Sequence, residues 1–559
     1  MASTQALPLA TLDGLRTRTV NAAHSSNDRN LPPHYNENEE DDFHATPALP
    51  PVSRSQQASV LIAAFLAIAL SIGYNQCYGV FLEYYSSDKQ NVLLLSTASK
   101  SPSSASSIAS GHPSTALLAF VGTLGAGLTW AGSIFVNPWL SRVEYAAQSF
   151  ASQDTNGGIS NGSGQPVLRY LLAYVRHHLT ASPRSITLAG VTLMGLGFLL
   201  ASFATQVWHL LLTQGLLYGL GSSMLYFPLL GPAPEYFSRH RATALGLILS
   251  GGGVGSLVLS PVVRALLSAV GGRWTLRILA GMYVAVGAPV ALAVPPSRFT
   301  VSVTRRHTQN PDADADGGNE SEQRSATVTD GIVARRRTHI STALLMTPAF
   351  LMSVATAFCQ SAGAQLPLTF IPSYSVALGL SAGTGATLLA VANVVNAVAR
   401  VATGYAGDRF GRLNVLAVSL AGAAIAVGAL WGMSVKTASD SDPVSALSSP
   451  ASRLWLAFIV LYSVAAGGYY ALFPATIADV FGIRSYAAVN GFIYFVRGCG
   501  TMLGSPVGGI LLSAKAGGTS SSNYSSVVVW DGALLVSSAV CVLGVRWADA
   551  VRRGWMWRA

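Results

Sequence analysis

The sequence predicts an all-α polytopic membrane protein with twelve transmembrane helices in two halves of six. Half of the 559 residues are hydrophobic and only 10% are charged, whereas about 25% of the residues in a soluble domain are charged. Apolar runs long enough to cross a hydrocarbon layer of about 30 Å follow one another along the chain. The fifth run also resembles the eleventh, as expected when two similar halves are joined in one chain.

Polar segments at the two ends and in the middle of the chain divide it into parts. We expect a disordered cytosolic tail (1–57), a first half (58–295), a cytosolic linker (296–341), a second half (342–547) and a short cytosolic tail (548–559). The predicted helices cover 58–81, 115–136, 185–204, 207–230, 242–266, 274–295, 343–373, 380–403, 413–434, 454–477, 486–513 and 527–547. The run 343–373 contains three prolines and is expected to break.

The basic residues indicate which side of the membrane each loop faces. Placing both termini in the cytosol puts most arginines on the cytosolic side, including those of the short loops. Asn523 then begins an Asn-Tyr-Ser sequon in an external loop and is a candidate glycosylation site. The four cysteines fall inside predicted helices, so the sequence indicates neither a disulfide framework nor a metal cluster.

The repeat between the fifth and eleventh helices is visible residue by residue. At an offset of 245 residues, three glycines and one tripeptide recur: Gly246 with Gly491, Gly253 with Gly498, Gly255 with Gly500, and Ser-Pro-Val from Ser260 with Ser-Pro-Val from Ser505. Just upstream, an acidic residue and a phenylalanine two positions later occur in both halves. The two halves therefore resemble parallel repeats.

Arg497 breaks this repeat, because the first half has Gly252 at the equivalent position. It lies about 11 residues into its predicted helix, roughly 16 Å from the membrane face. A guanidinium at that depth costs about 2.5 to 3.5 kcal/mol and needs a partner or water. Arg497 is either a cationic docking point for an anionic substrate or an arginine satisfied by carbonyls or a neighbouring acid.

A second motif, GYAGDRFGR from Gly404, follows directly after an apolar helix. In that position it resembles the loop signature of the major facilitator superfamily of secondary transporters. We predict a cytosolic gate formed by Gly404, Gly407, Asp408, Arg409, Gly411 and Arg412. Asp408 is expected to meet the positive N-terminal end of the fifth helix near Ala242. The loop after the second helix reads NPWLSR and lacks this signature, so the charged gate is predicted on one side only.

Longer segments resemble the fungal branch of the monocarboxylate porter family. They are GYNQCYGVFLEYY at the end of the first helix, the stretch from Trp208 to Pro261, and GGYYALFPATIADVFG from Gly467. The resemblance implies proton-linked transport of small carboxylates by alternating access, with Arg400 binding the carboxylate. It also carries two departures: Asn396 stands where animal members have an acid, and the first-helix lysine is absent. The usual proton route therefore does not carry over, and exchange or uniport stays open.

The candidate substrate site combines these residues with polar neighbours. Its members are Arg497, Arg400, Asn396, Asn393, Asn75, Gln76 and Tyr74. Arg400 has a second interpretation, because about 6 Å separates it from the predicted end of its helix and it could serve the gate instead.

Other function classes fit less well. An enzyme would need a nucleophile with its base, paired carboxylates or a metal cluster, and the sequence shows none. The net charge of +10 comes from loop residues rather than from a basic stripe with aromatics, so nucleic acid is not expected. Two alternatives stay open: an exporter of a larger metabolite or drug-like compound, and a nutrient sensor that transports nothing.

We expect a monomer without a cofactor, in the plasma membrane or in an organellar membrane, with a small anion, protons and the lipid bilayer as partners.

Overall fold

Long helices make up nearly all of the chain that this computed structural model describes. The described residues are 52–85, 92–93, 115–143, 182–237, 240–295, 298, 340, 342–440, 449–513 and 521–554. No strand occurs among them. Most of the predicted N-terminal tail and cytosolic linker, and the centre of the loop after the second helix, lie outside these residues.

The described residues contain ten helices that are long and apolar enough to cross a membrane. One of them, Arg241–Leu292, is two helices, because Gly271 has φ 74° and ψ 172°, which no α-helix accommodates. Pro348–Ala377 is a further helix of 30 residues. The membrane helices of the described part are α1 Arg54–Tyr85, α2 Leu117–Val143, α3 Pro183–Ala201, α4 Val207–Tyr236, α5 241–270, α6 272–292, α7 Pro348–Ala377, α8 Ala382–Phe410, α9 Arg412–Ala438, α10 Pro450–Ile483, α11 Ser485–Leu512 and α12 Ser521–Arg553.

One difference from the predicted boundaries, at the end of α8, affects the site. The sequence places it near residue 403, but the helix continues through the charged motif to Phe410 and stops at Gly411, whose φ of 98° ends the helical path. Arg400 is therefore about ten residues from the helix end, roughly 15 Å along the axis, rather than about 6 Å. This correction places Arg400 well inside the helix rather than near its end.

The predicted break in the seventh helix occurs only at its start. A short turn of helix, Thr342–Leu345, precedes α7, and Thr347 caps α7 by accepting a hydrogen bond from the Phe350 amide at 3.3 Å. The helix then continues through Pro367 and Pro372. Membrane helices tolerate such prolines when neighbouring groups satisfy the freed carbonyls.

The repeated glycines occupy equivalent helix contacts in the two halves. A Cβ on Gly253 would lie 2.8 Å from Ala397 of α8, and a Cβ on Gly498 would lie 2.5 Å from the Gly127 carbonyl of α2. Gly255 is packed in the same way against α1, as Gly500 is against α7. Small residues let helices approach this closely in a membrane. The halves therefore meet along two similar seams, α5 with α8 and α11 with α2.

Candidate functional site

Arg400 is buried where α8 meets α5. Its Nε donates to Asn396 Oδ1 at 2.9 Å, and its Nη1 donates to the Leu249 carbonyl of α5. The Asn396 amide is itself oriented, because its Nδ2 donates to the Ser463 carbonyl of α10 at 3.0 Å. Only 2% of Arg400 is exposed. Asn396 thus supplies a neutral acceptor, so the positive charge of Arg400 remains uncompensated by this neighbour.

Arg497 lies in a cage of aromatic rings. Its Cζ atom is 4.0 Å from the ring centroid of Trp130 on α2, 5.4 and 5.1 Å from those of Tyr469 and Tyr470 on α10, and 5.1 Å from that of Tyr494 on α11. The residue is 3% exposed, and its Nε has no hydrogen-bond partner among the described residues. Ring faces stabilise a cation by about 0.5 to 2 kcal/mol each, but they do not provide an acceptor for the Nε–H of Arg497.

The two arginines share one aromatic ring. Tyr470 lies 4.4 Å from the Cζ of Arg400 and 5.1 Å from the Cζ of Arg497, measured to its centroid. Within the described part of the chain, no carboxylate forms an ion pair with either guanidinium. Two positive charges are thus buried at the junction of the halves without a carboxylate partner among the residues that the structure describes. Buried charges of this kind are expected to be paired, so the site has the electrostatics to receive an anion.

The first-helix candidates lie elsewhere. The ring of Tyr74 packs against Tyr218 at 4.5 Å and Phe198 at 4.8 Å, inside the bundle of the first half. Asn75 donates to Thr129 Oγ1 at 3.2 Å. Gln76 has a buried Oε1 without a partner among the described residues. None of the three first-helix candidates contacts either arginine, so the structure does not bring this part of the predicted site together.

Asn393 lies on α8 two turns before Arg400, in the contact with α5. Its carbonyl would be 3.0 Å from a Cβ on Gly253, and the residue is almost fully buried. It belongs to the seam between the halves, and among the described residues no hydrogen bond joins its side chain to either guanidinium. Asn523 lies in the short 3₁₀ helix Ser521–Tyr524 at the start of α12 and is half-buried.

Asp408 lies against the N-terminus of α5. Its Oδ1 accepts from the Ala242 amide at 3.1 Å, and its Oδ2 accepts from the amide and hydroxyl of Thr243 at 2.8 and 2.7 Å. This is the helix end at which the sequence placed the carboxylate. The first amides of a helix have no intrahelical acceptor and carry partial positive charge, which makes a carboxylate a favourable partner.

Arg412 connects Asp408 to a wider network. It bonds Asp408 at 2.8 Å and Asp479 at 2.7 Å, and Asp479 also pairs with Arg241 at 2.7 Å. Arg241 belongs to the first half and Asp479 to the second, so this pair also joins the halves. Sequence reasoning did not include either residue in the gate. A signal for Asp479 was available in the sequence, because the repeat aligns it with Glu235 of the first half.

The glycines of the motif allow close packing around this network. A Cβ on Gly404 would lie 2.5 Å from the Ala242 carbonyl, and a Cβ on Gly407 would overlap Leu472 of α10. Arg409 differs from the rest of the motif, because it is exposed and contacts only the Phe410 ring, 5.9 Å from its Cζ.

Comparison with known proteins agrees with this architecture. A family model described as Major Facilitator Superfamily matches residues 119–447. The chain belongs to the major facilitator superfamily. The crystal structure of a double tryptophan mutant of XylE superimposes with a TM-score of 0.59 at 13% identity, covering 89% of this chain and 99% of that one. This likeness, together with the helical model and its apolar spans, confirms the predicted fold class.

Curated relatives within the superfamily are transporters. An MFS-type transporter of Gibberella moniliformis is 26% identical over 64% of this chain and 74% of its own length. Monocarboxylate transporter 12 of Xenopus laevis is 27% identical over 61% of this chain and 70% of its own length. The chain is thus a multi-pass membrane transporter of the major facilitator superfamily, not an enzyme, and it is similar to monocarboxylate transporters.

Proposed function

We propose that this transporter moves small carboxylates across its membrane by alternating access, with Arg497 as the docking point for the substrate carboxylate. The observation that carries the proposal is the pair of buried arginines, Arg400 and Arg497, at the junction of the halves without a carboxylate partner among the described residues. A bound anion would supply the missing negative charge.

Arg497 is the stronger ligand of the two. Its guanidinium has the planar fork that matches both oxygens of a carboxylate, and its Nε has no hydrogen-bond partner within the described part of the chain. Trp130 and Tyr494 cover it from different halves. Because low dielectric strengthens charge-assisted hydrogen bonds, a carboxylate held there would be bound tightly and away from lipid.

Arg400 offers a link between binding and movement. Its Nη1 donates to the Leu249 carbonyl of α5, so this bond joins the two halves. A substrate carboxylate within reach of Arg400 would compete with Leu249 for the same donor. Loss of that bond would loosen the seam between α5 and α8, which is the kind of differential contact that lets a ligand shift a conformational equilibrium.

The printed names of the relatives favour the same substrate class. Several are monocarboxylate transporters, from Xenopus laevis to Homo sapiens, whereas the names of the fungal relatives state no substrate. An exporter of a larger compound is the second candidate. It is favoured by the aromatic surface around Arg497, in which Trp130, Tyr226 and Tyr494 are in mutual contact with centroids 5.1 to 6.3 Å apart.

Uptake into vesicles distinguishes these functions. The purified chain would be reconstituted in liposomes and supplied with labelled lactate, pyruvate, succinate and malate, in counterflow with the same unlabelled acid. We expect flux with at least one acid, its loss in Arg497→Gln, and partial retention in Arg497→Lys, which keeps the charge but not the fork. Arg409→Gln is the matched control, since it removes an exposed arginine outside the site. Binding without flux would indicate a sensor. The absence of both binding and flux would refute the proposal.

A further inference from the structure

Asp531 is a carboxylate buried inside the second half. It lies on α12, about ten residues from the external end, and is 0% exposed. Neither of its side-chain oxygens has a hydrogen-bond partner among the described residues, and no cation of that part of the chain pairs with it. The substrate site described above does not include it.

The surroundings of Asp531 are close-packed and uncharged. A Cβ on Gly363 of α7 would lie 2.9 Å from the Oδ1 of Asp531. Leu535, one turn later on α12, packs against the same glycine. Tyr462 of α10 is the titratable group that interacts with it electrostatically. The Tyr462 hydroxyl donates elsewhere, to the Ala364 carbonyl at 3.2 Å. Among the described residues, therefore, no neighbour offers the carboxylate a compensating charge.

An ionised carboxylate in these surroundings would lack both water and a counter-ion. Burial of such a charge is so costly that the group takes up a proton instead. We therefore expect Asp531 to be the neutral acid in the conformation described here. An ionisable side chain inside a membrane helix is a functional candidate by default, and proton carriage is a common role for acids at this depth.

Helix α7 connects Asp531 to the arginine site. Gly363, which touches Asp531, lies two residues after Ser361, whose hydroxyl donates to the Arg497 carbonyl at 2.9 Å. Gln360, on the preceding turn, has a buried Oε1 that is unpartnered within the described residues. Any rearrangement of α7 against α11 and α12 would alter the surroundings of both Asp531 and Arg497. That shared element gives a physical route for coupling.

We infer that Asp531 carries the proton that accompanies carboxylate transport, which rests on the proposed function. On one side of the membrane the ionised aspartate takes up a proton and becomes the acid, while the substrate carboxylate binds Arg497. On the other side the acid releases that proton and the substrate leaves. The carboxylate and the proton thus cross together without net charge. Because residue 396 is an asparagine, α8 has no acid beside Arg400 at that position, and Asp531 is the residue that carries the proton instead.

An infrared measurement tests protonation without a substrate. The purified protein should show the carbonyl stretch of a buried carboxylic acid at neutral pH, and Asp531→Asn should remove it. Asp549→Asn is the matched control, because Asp549 is also buried on α12 but lies 3.0 Å from Arg553. That variant should leave the band unchanged. Absence of a band that depends on Asp531 would overturn the inference.

Transport tests coupling, with the same four labelled acids. A pH gradient of one unit should drive about ten-fold accumulation in the native protein, because one unit is a ten-fold proton ratio. Asp531→Asn should abolish that accumulation yet keep counterflow, and Asp531→Glu should restore accumulation in part.

Three results would overturn the inference. The first is accumulation by Asp531→Asn at the native level, and the second is counterflow in the native protein without accumulation driven by the pH gradient. The third is loss of counterflow in both the Asn and the Glu variants, which would assign Asp531 to packing. Absence of native flux with all four acids would instead refute the proposed function. The infrared band would then still decide whether Asp531 holds a proton.

Discussion

Replacement of Asp408 by asparagine tests whether the network of Asp408, Arg412, Asp479 and Arg241 holds the two halves together. Asp408 accepts three hydrogen bonds from α5 of the other half, from the Ala242 amide and from the amide and hydroxyl of Thr243. It also accepts from Arg412 of its own half. Only the bonds between halves are lost on opening, so only they favour the closed form. Asp408→Asn should therefore shift the protein toward the form that is open to the cytosol.

The magnitude follows from what asparagine cannot supply. A hydrogen bond to a charged acceptor contributes about 1.5 to 3 kcal/mol, against about 0.5 to 1.5 kcal/mol for a neutral one. The charge also interacts with the α5 N-terminus by about 0.3 to 1 kcal/mol, and up to about 2 kcal/mol when partly buried. In addition, the amide NH₂ of asparagine faces N–H donors. We expect a loss of about 2 to 3 kcal/mol from the closed form, which is about 30-fold to 150-fold in the equilibrium.

Distances between spin labels would measure this shift. One label replaces Trp139 near the end of α2 and the other replaces Tyr405 near the end of α8, since both side chains are exposed and belong to different halves. The four native cysteines are first replaced. The long-distance population should rise in Asp408→Asn. Arg409→Gln is the control, because it changes one charge at the same helix end without touching α5.

A shift of less than about two-fold in Asp408→Asn would refute this reasoning, because it would put the bonds between halves below about 0.4 kcal/mol. A shift equal to that of Arg409→Gln would refute it too, since the effect would then come from net charge rather than from the contact with α5.

Three further substitutions test individual contacts. Gly404→Ala should also favour the open form, because its Cβ would lie 2.5 Å from a carbonyl of α5. Gly422→Ala is the control and should not favour it, because the nearest atom to its Cβ would be 3.6 Å away. The same pair of spin labels measures both variants. Gly411→Ala should destabilise the protein by about 1 to 2 kcal/mol, because φ there is 98°, and thermal unfolding in detergent measures it. Asn396→Asp should weaken competition by succinate for uptake about ten-fold, or ~1.4 kcal/mol, because a carboxylate 2.9 Å from Arg400 would neutralise it.

The sequence predicted the features that depend on local or summed properties. Apolar run length and low charge content determine that a chain crosses the membrane, and the spacing of small residues determines which helices can approach closely. The repeat from Gly246 to Gly500 identified α5 and α11 as equivalent helices, and the structure shows that each of them forms one of the two seams. Asp408 was assigned to the N-terminus of α5 because a carboxylate and a helix end attract each other in any arrangement that brings them together.

The sequence was less accurate where polar residues extend a helix. Charged side chains at the end of α8 suggested a loop near residue 403, but hydrogen bonds to α5 and α9 satisfy them within a helix that continues to Phe410. The depth of Arg400 changed accordingly. Sequence reasoning did not include Asp531, although an acid within an apolar run is a readable signal. No local pattern shows whether such an acid has a partner.

The sequence by itself determined a membrane transporter of the twelve-helix class, because hydrophobic burial and helix length are properties of neighbouring residues, and it predicted two similar halves and a charged gate. Only the tertiary structure decided that Arg497 lies beneath Trp130, that Arg400 shares the ring of Tyr470, and that the Asp531 oxygens have no hydrogen-bond partner within the described residues. Those relations join residues tens to hundreds of positions apart, and they arise from how the helices pack rather than from the order of residues within any one of them.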